Sequence, residues 1–237
     1  MDITIAIDLS HGETVESLPE YLFEEEPEQV WLEEEILLED LEDVDVLLLG
    51  DPRIQKDGTG GFTKEELLAI KKFVARGRGL MVTSSAGGDC GVARSLGSLR
   101  VLFKVTGVSR FWNGVIQDPK SSIVSKTNLV LKSMDAHFIT RGLTELVFAD
   151  ATFLSITEDA DPIVFTEETA RFKYFSDKSV EEVGVVPVVA VSDFYRGRVV
   201  TAGCSTIFSE DSDVGFDIKS NKEFLQRCFA WLSFEEE

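Results

Sequence analysis

Three short apolar runs in the first third of the chain constrain its fold most strongly. They cover residues 3–7, 44–49 and 80–83, and each is followed by a loop rich in Asp, Ser or Gly. Apolar runs of this length that end at turn residues are typical of buried strands. The sequence therefore predicts three buried strands in this region.

Helical patterns fill the spaces between these runs. Thr63 and Glu66 form a capping box, and the apolar residues that follow recur on one helix face as far as a stop at Gly77. Residues 13–42 are acidic and favour another helix with a narrow apolar stripe. The resulting β-α-β-α-β order predicts a doubly wound, mostly parallel sheet with right-handed crossovers.

The rest of the chain is expected to complete one α/β domain. Four further elements are predicted from the apolar pattern: a helix over 92–103, strands over 185–191 and 198–202, and a helix over 221–231. Residues 105–180 hold short β-rich runs joined by irregular segments. No linker or internal repeat is evident, so residues 1–237 are predicted to form a single α/β domain with a β-rich insertion at about 105–180.

The charge of the chain is concentrated near its N-terminus. The sequence has 43 Asp and Glu against 23 Lys and Arg, a net charge of −20, and residues 1–52 hold 18 of the acids and no Lys or Arg. This charge excludes nucleic acid and anionic membranes as partners, because both are bound through basic residues. Two interpretations stay open: a solvated face that keeps the protein soluble, or a docking surface for a basic protein partner.

Several other classes of protein are also excluded. No apolar run approaches the ~18 residues of a membrane helix, and no basic segment precedes the N-terminal apolar run, so a cytoplasmic protein is expected. The cysteines Cys90, Cys204 and Cys228 are widely spaced and are predicted to be free thiols. With two histidines and no HxxH or HExxH pattern, neither a metal ion nor another cofactor is expected.

The candidate site lies in the loops after the predicted strands, because ligands of an open parallel sheet bind outside its carboxyl edge. This rule points to residues 8–12, 50–53, 84–89 and 203–209. The third loop could hold an anion on backbone amides before a helix, although it matches neither a P-loop nor a dinucleotide fingerprint. The candidate ligand-binding residues on these loops are Asp8, Ser10, His11, Asp51, Ser84, Ser85, Gly87, Gly88 and Ser205.

A catalytic alternative rests on the two serines after the third strand. The order strand, small-residue loop, helix is that of a nucleophile elbow, although Thr83 replaces the first glycine of that motif. A nucleophilic serine needs a base within hydrogen-bond reach. The alternative is therefore a serine hydrolase that uses Ser84 or Ser85 with His137, while His11 is expected to make hydrogen bonds within its own loop.

Four segments along the chain match a known pattern in order. They are IAIDLSHGE from residue 5, FTKEEL and FVARGRGL from residues 62 and 73, HFITRGL from residue 137, and a fourth made of VAV from residue 189, GRVV from residue 197, Gly203, Asn221, FL from residue 224 and WL from residue 231. In this order they resemble the amidotransferase-like GIFT domain shared by a gliding-motility ABC-transporter subunit and an intraflagellar-transport complex B subunit. Relatives commonly carry HPITRG where this chain has HFITRG.

The resemblance implies a flavodoxin-like sheet of the class I glutamine amidotransferase type, in an archaeal or bacterial relative. It also implies that the amidotransferase cysteine is missing, because Ser84 and Ser85 stand at its elbow, and that the chain is a non-catalytic binding or assembly module for a protein partner or a small polar ligand. His137 and Arg141 either stabilise a loop or line the cleft. A carbohydrate-binding module is a further alternative, with Phe111, Trp112 and Tyr195 as candidate aromatic platforms.

Overall fold

The three apolar runs of the N-terminal third lie side by side in one sheet. A computed structural model describes residues 3–52, 61–87, 102, 104–211 and 213–235. Within these residues the elements are, in chain order, β1 (Thr4–Asp8), β2 (Glu28–Leu32), β3 (Val46–Gly50), α1 (Lys64–Ala75), β4 (Gly79–Thr83), β5 (Val108–Phe111), β6 (Gly114–Gln117), β7 (Asn128–Leu131), β8 (Ser133–Met134), β9 (Leu146–Ala149), β10 (Leu154–Ile156), β11 (Asp161–Phe165), β12 (Arg171–Tyr174), β13 (Val180–Glu182), β14 (Pro187–Phe194), β15 (Gly197–Ala202), a short 3-10 helix (Thr206–Phe208) and α2 (Asn221–Leu232).

The main sheet of the described residues is mixed. Its eight strands run in the order β2-β1-β3-β4-β15-β14-β11-β8. The pairings from β2 to β15 are parallel, and those from β15 to β8 are antiparallel. The expectation of a mostly parallel sheet therefore holds for one half of it, because the hairpin of β14 and β15 reverses the strand direction.

The strands predicted on either side of α1, the two strands predicted near the C-terminus and the last helix are confirmed, but the acidic helix over 13–42 is wrong. Residues 28–32 form β2, which pairs in parallel with β1 from Thr4 opposite Glu28 to Asp8 opposite Leu32. Helix propensity is a weak preference, whereas β1 would otherwise leave a row of backbone amides and carbonyls unpaired at its edge. Pairing with β1 therefore overrides the local preference of this acidic segment.

Residues 105–180 contain the short strands that the sequence predicts, together with others. Three small sheets form here, of β5 with β10, of β6 with β12 and β13, and of β7 with β9. Two strands of the same region, β8 and β11, join the main sheet instead. The segment is therefore partly continuous with the main sheet rather than a wholly separate β-rich unit.

The main sheet is covered on both faces, which explains why its central strands are apolar throughout. Alternate residues point to opposite faces: Ile5 and Leu48 pack in the same apolar cluster as α2, whereas Ala6 and Leu47 pack with α1. The capping box of α1 forms as predicted between Thr63 and Glu66. No helix among the described residues has both the length and the apolar character needed to cross a membrane.

Candidate functional site

The side chain of Asp51 joins the loops that follow β1, β3, β4 and β15. Its Oδ2 accepts hydrogen bonds from the hydroxyls of Ser85 at 2.7 Å, Thr14 at 3.1 Å and Ser205 at 3.4 Å. Asp51 itself is buried and adopts a φ of 62°, which turns the chain sharply after β3. The structure thus brings together three of the sequence-predicted residues, Asp51, Ser85 and Ser205, and adds Thr14, which the sequence analysis missed.

Gly50 allows the loop after β1 to reach this position. The amides of Thr14 and Val15 donate to the carbonyl oxygen of Gly50 at 3.0 and 3.2 Å. A Cβ atom on Gly50 would lie 2.5 Å from Cβ of Val15. The close approach therefore requires a glycine at the end of β3, and it places the Thr14 hydroxyl over Asp51.

A cleft of about 500 Å³ opens above these hydroxyls. Thr14, Ser85 and Ser205 line the cleft and direct their hydroxyls at Asp51, with Oγ1 of Thr14 also 3.5 Å from Oγ of Ser205. A hydroxyl that donates its proton in this way keeps lone pairs that can accept a hydrogen bond. Carboxylates of Glu16 and Asp150 contribute further acceptors, and none of the described lining residues is Lys, Arg or His. The lining is Thr14, Val15, Glu16, Ser17, Ser85, Ala86, Asp150, Ser205, Thr206, Phe208 and Ser209.

Within the described part of the loop after β4, the amides of residues 84, 86 and 87 donate to carbonyl oxygens of the fold and do not point together at an anion. The amide of Gly87 donates to the carbonyl oxygen of Gly114 at 2.9 Å, and the amide of Ala86 donates to that of Asp150 at 2.6 Å. Ser84 is buried, and its amide donates to Ala202. Gly88 and Cys90 lie outside the described residues. So does the helix predicted over 92–103, apart from residue 102.

A buried cluster of titratable side chains lies beside the cleft, in the loop that follows β1. Nδ1 of His11 is 2.8 Å from Oδ2 of Asp8 and 2.9 Å from the hydroxyl of Ser10. On the other side of the ring, Nε2 of His11 is 3.3 Å from Oε1 of Glu66. Oε1 of Glu13 lies 3.8 Å from Nδ1, is fully buried and accepts no hydrogen bond.

Local folding explains how the cluster is assembled. The imidazole of His11 stacks on the ring of Phe62 with a centroid separation of 3.8 Å. The carboxylate of Glu66 accepts the amide of Thr63 at 2.7 Å and the amide of Ile36 at 3.1 Å, so the cap of α1 also holds the segment after β2. His11 therefore rests between the loop after β1 and the first turn of α1.

Burial and mutual contact set the protonation of the cluster. Burial acts to lower the pKa of His11, but its hydrogen bond to Asp8 and the charges of Asp8 and Glu66 outweigh burial and raise that pKa. Burial acts to raise the pKa of Asp8 and of Glu66, but hydrogen bonds outweigh it and both are lowered. Burial and the neighbouring Asp8 raise the pKa of Glu13 to about 9. These directions favour the ionised forms of Asp8 and Glu66, the protonated form of His11 and the neutral form of Glu13.

Asp8, Ser10 and His11 were predicted as site residues, whereas Glu13 and Glu66 were missed. Glu13 is only two residues from His11 in the sequence, and this spacing is a usable signal. Glu66 is assigned from sequence to the capping box alone, and that role is correct. Glu66 and His11 are far apart in the sequence, and their contact follows only from the packing of α1 on the sheet.

His137 and Arg141 lie away from the cleft. The ring of His137 packs edge-on against Trp231 at 5.2 Å, and Trp231 is contacted by Arg198, which pairs with Gly79 at the amino end of β4. The carbonyl oxygen of Arg141 accepts a hydrogen bond from Arg227 of α2, and Arg141 is exposed. Of the two interpretations left open, the geometry favours a loop-stabilising role.

This placement of His137 separates it from Ser84 and Ser85, the serines of the predicted hydrolase site. Ser84 and Ser85 follow the carboxyl end of β4, and His137 lies beyond its amino end. The other histidine, His11, directs its ring nitrogens at Asp8, Ser10 and Glu66. Ser85 instead donates to Asp51. These contacts therefore place neither imidazole beside Ser84 or Ser85, the two serines of the predicted hydrolase site.

The three aromatic residues considered for carbohydrate binding do not form one platform. Phe111 is buried, and Tyr195 is 82% exposed at the turn between β14 and β15. Trp112 is half-buried and stacks on Phe153 at 5.0 Å, while the guanidinium of Arg110 lies 4.3 Å from its ring centroid. Trp112 and Tyr174 also line a second cleft of about 500 Å³ on the β5, β12 and β13 side.

Comparisons with known proteins show the fold. No family model and no curated protein match the chain. Among solved structures, the IFT52 N-terminal domain matches with a TM-score of 0.74 at 18% identity, over 97% of each chain. A ThuA-like protein from Bacteroides uniformis matches with a TM-score of 0.59 at 13% identity, over 97% of this chain and 90% of that one.

A third structure, a β-galactosidase from Rahnella sp. R3, matches with a TM-score of 0.55 at 10% identity, over all of this chain and 32% of that one. The TM-scores show a shared fold, and the low identities leave function open. The GIFT resemblance of the sequence is therefore confirmed at the level of the fold. The chain has the fold of the IFT52 N-terminal domain and of ThuA-like proteins.

Proposed function

We propose that the chain is a non-catalytic binding module whose cleft takes a small polar ligand rich in hydrogen-bond donors. The observation that carries the proposal is the convergence of the Thr14, Ser85 and Ser205 hydroxyls on Asp51. Each hydroxyl donates inward and faces the cleft as an acceptor. A polyol or a primary amine supplies the matching donors.

The charge of the cleft narrows the ligand class further. Glu16 and Asp150 line it, and the described lining holds no cationic side chain to balance an anion. Phosphates and carboxylates are therefore disfavoured ligands. Sugars are the polyols to test first, because 32% of the length of a β-galactosidase matches the fold of this chain.

A thermal-shift screen of sugars, amines and phosphates tests the proposal. A ligand at about 100 times its dissociation constant stabilises the folded state by about 2.7 kcal/mol, which raises the melting temperature of a domain of this size by roughly 5–10 °C. We expect such a shift from a sugar or an amine, and its loss in Ser205→Ala. Ser179→Ala, in the second cleft, serves as the control and should keep the shift. Stabilisation by phosphate alone, or by none of the compounds, would contradict the proposal.

A second candidate function is docking of a basic protein segment at the edge strand β2. Between residues 16 and 43, 13 Asp and Glu side chains are exposed and Lys and Arg are absent. Trp31 on β2 is 52% exposed among them, and Tyr21 is 70% exposed. Within the described residues, β2 pairs with β1 alone. An extended segment rich in Lys and Arg fits this edge by strand addition and by charge.

Synthetic extended peptides that alternate Lys or Arg with apolar residues test this second function. We expect binding that weakens as salt rises, because exposed charges are screened. Trp31→Ala should weaken binding further, whereas Tyr195→Ala, an exposed aromatic at a distant turn, should not. Binding that ignores salt, or an equal loss in both variants, would exclude this function.

A further inference from the structure

The buried cluster after β1 has the composition and spacing of a metal site. One ligand atom from each of Asp8, His11 and Glu13 lies within 4.8 Å of the others, and all three residues are buried. The relevant separations from Nδ1 of His11 are 2.8 Å to Oδ2 of Asp8 and 3.8 Å to Oε1 of Glu13. A tetrahedral cation with bonds of about 2.1 Å places its ligand atoms roughly 3.4 Å apart. The observed separations lie on either side of this value.

A second observation points independently to a ligand. Oε1 of Glu13 belongs to a buried side chain, lies 3.8 Å from Nδ1 of His11 and accepts no hydrogen bond, whereas Oε2 accepts the amide of His11 at 2.9 Å. A buried acceptor of this kind is costly unless something binds it. A cation between Glu13, His11 and Asp8 would coordinate this oxygen.

The far side of the imidazole supports the same assignment. Histidines that bind a metal through one ring nitrogen usually donate the other ring N–H to a carboxylate, which orients the ring. Here Nε2 of His11 faces Oε1 of Glu66 at 3.3 Å, and two backbone amides hold Glu66 in place. Stacking on Phe62 further restricts the ring.

We propose that Asp8, His11 through Nδ1, and Glu13 form a binding site for a divalent transition-metal cation, with Glu66 as the positioning residue behind His11. One imidazole nitrogen and two carboxylates favour Zn²⁺, Co²⁺ or Mn²⁺ over Ca²⁺, which prefers six or more oxygen ligands. Both His11 and Glu13 bind a cation in their deprotonated forms, so any proton held on Nδ1 of His11 or on Glu13 leaves as the dication enters.

The site borders the cleft, because Thr14 follows Glu13 directly and donates to Asp51. It does not depend on the proposed ligand of the cleft. Failure of either proposal can therefore be recognised separately.

Titration of the full chain with Co²⁺ and Zn²⁺ tests the site, after dialysis against EDTA. We expect one cation per chain, visible as a cobalt absorption band in the visible range and as heat in a Zn²⁺ titration. Glu13→Gln keeps the shape of the neutral carboxyl and should fold normally in EDTA, yet its affinity should fall at least about tenfold. Glu66→Gln keeps only one of the two oxygens that accept the amides of Thr63 and Ile36, so its fold is checked in EDTA as for the other variants. It should weaken binding by roughly 10–100-fold, the range observed for partners of metal-binding histidines.

Glu65→Gln is the matched control, since Glu65 is an exposed carboxylate next to Glu66 in the first turn of α1 and lines neither the cleft nor the cluster. It should bind both cations as the unaltered chain does. Absence of stoichiometric binding, unchanged affinity in Glu13→Gln, or an equal loss in Glu65→Gln would overturn the proposal. The last two results would assign the binding to surface carboxylates. A circular dichroism spectrum of each variant in EDTA separates loss of the site from loss of the fold.

Discussion

The hydroxyl of Ser85 donates a 2.7 Å hydrogen bond to Oδ2 of Asp51, and this contact joins the loops that follow the adjacent parallel strands β3 and β4. Both residues are buried. The same oxygen also receives the hydroxyls of Thr14 and Ser205, so one carboxylate connects four segments at the carboxyl edge of the sheet. Asp51 is therefore expected to matter for stability as well as for the shape of the cleft.

Replacing Asp51 by Asn should lower the free energy of unfolding by about 1–3 kcal/mol, because buried hydroxyls lose their charged acceptor. Asn tolerates the positive φ at this position, so backbone strain does not contribute. Urea unfolding measures the change. Ser17→Ala, at an exposed serine of the same cleft, should stay within about 0.5 kcal/mol of the unaltered chain. An Asp51→Asn variant of full stability would contradict the role assigned to Asp51.

Glu13 should make the folded state less stable as pH rises. Its pKa is raised from 4.5 to about 9 on folding, so the stability linked to its proton is fully present below about pH 4.5 and is lost as pH rises through about 9. At pH 7 the loss already amounts to about 3 kcal/mol. Glu13→Gln cannot lose this proton.

The test of Glu13 is a comparison of urea unfolding in EDTA at several pH values. The Glu13→Gln variant and the unaltered chain should have similar stability near pH 4.5, and the variant should become the more stable of the two towards pH 8. Stability curves that stay parallel across this range would show that Glu13 titrates normally in the folded protein.

Replacing Gly50 by Ala should destabilise the fold through a steric clash. The added Cβ would lie 2.5 Å from Cβ of Val15 and 3.1 Å from its carbonyl oxygen, so the loop after β1 would have to move. Overpacking of this kind costs about 1–3 kcal/mol. Gly142→Ala is a useful comparison, because a Cβ there meets nothing within 4 Å and only the φ of 75° is unfavourable. We expect the loss of melting temperature to be larger for Gly50→Ala, and a larger loss at Gly142 would argue against the clash.

The thiols of Cys204 and Cys228 should be unreactive in the native protein. Both side chains are fully buried, and burial raises the pKa of Cys204 to about 11 and that of Cys228 well above its usual range. Because the thiolate is the reactive species, a disulfide reagent at pH 8 should modify neither of them in a Cys90→Ser variant. The same variant should yield two reactive thiols in guanidinium. Rapid labelling before unfolding would contradict this burial.

The sequence could predict an element of the fold where the interactions that form it are between residues close together in the chain. The strands β1, β3 and β4 and the helix α1 were predictable, because apolar runs and a capping box are local signals. The edge strand β2 was not, because its acidic residues favour a helix locally and only its pairing with β1 makes it a strand. Within residues 105–180, some strands join the main sheet and others form three small sheets. Which strand joins which sheet likewise depends on pairing partners that are distant in sequence.

The same distinction applies to the candidate site. The sequence by itself determined that Asp8, Asp51, Ser85 and Ser205 follow strands, and the rule for parallel sheets then placed them at one edge. Only the tertiary structure decided that three hydroxyls converge on Asp51, that Glu66 reaches His11 and that His137 lies at the opposite edge. The physical reason is that strand order and helix packing bring these side chains together, and both are set by burial across the whole chain rather than by neighbouring residues.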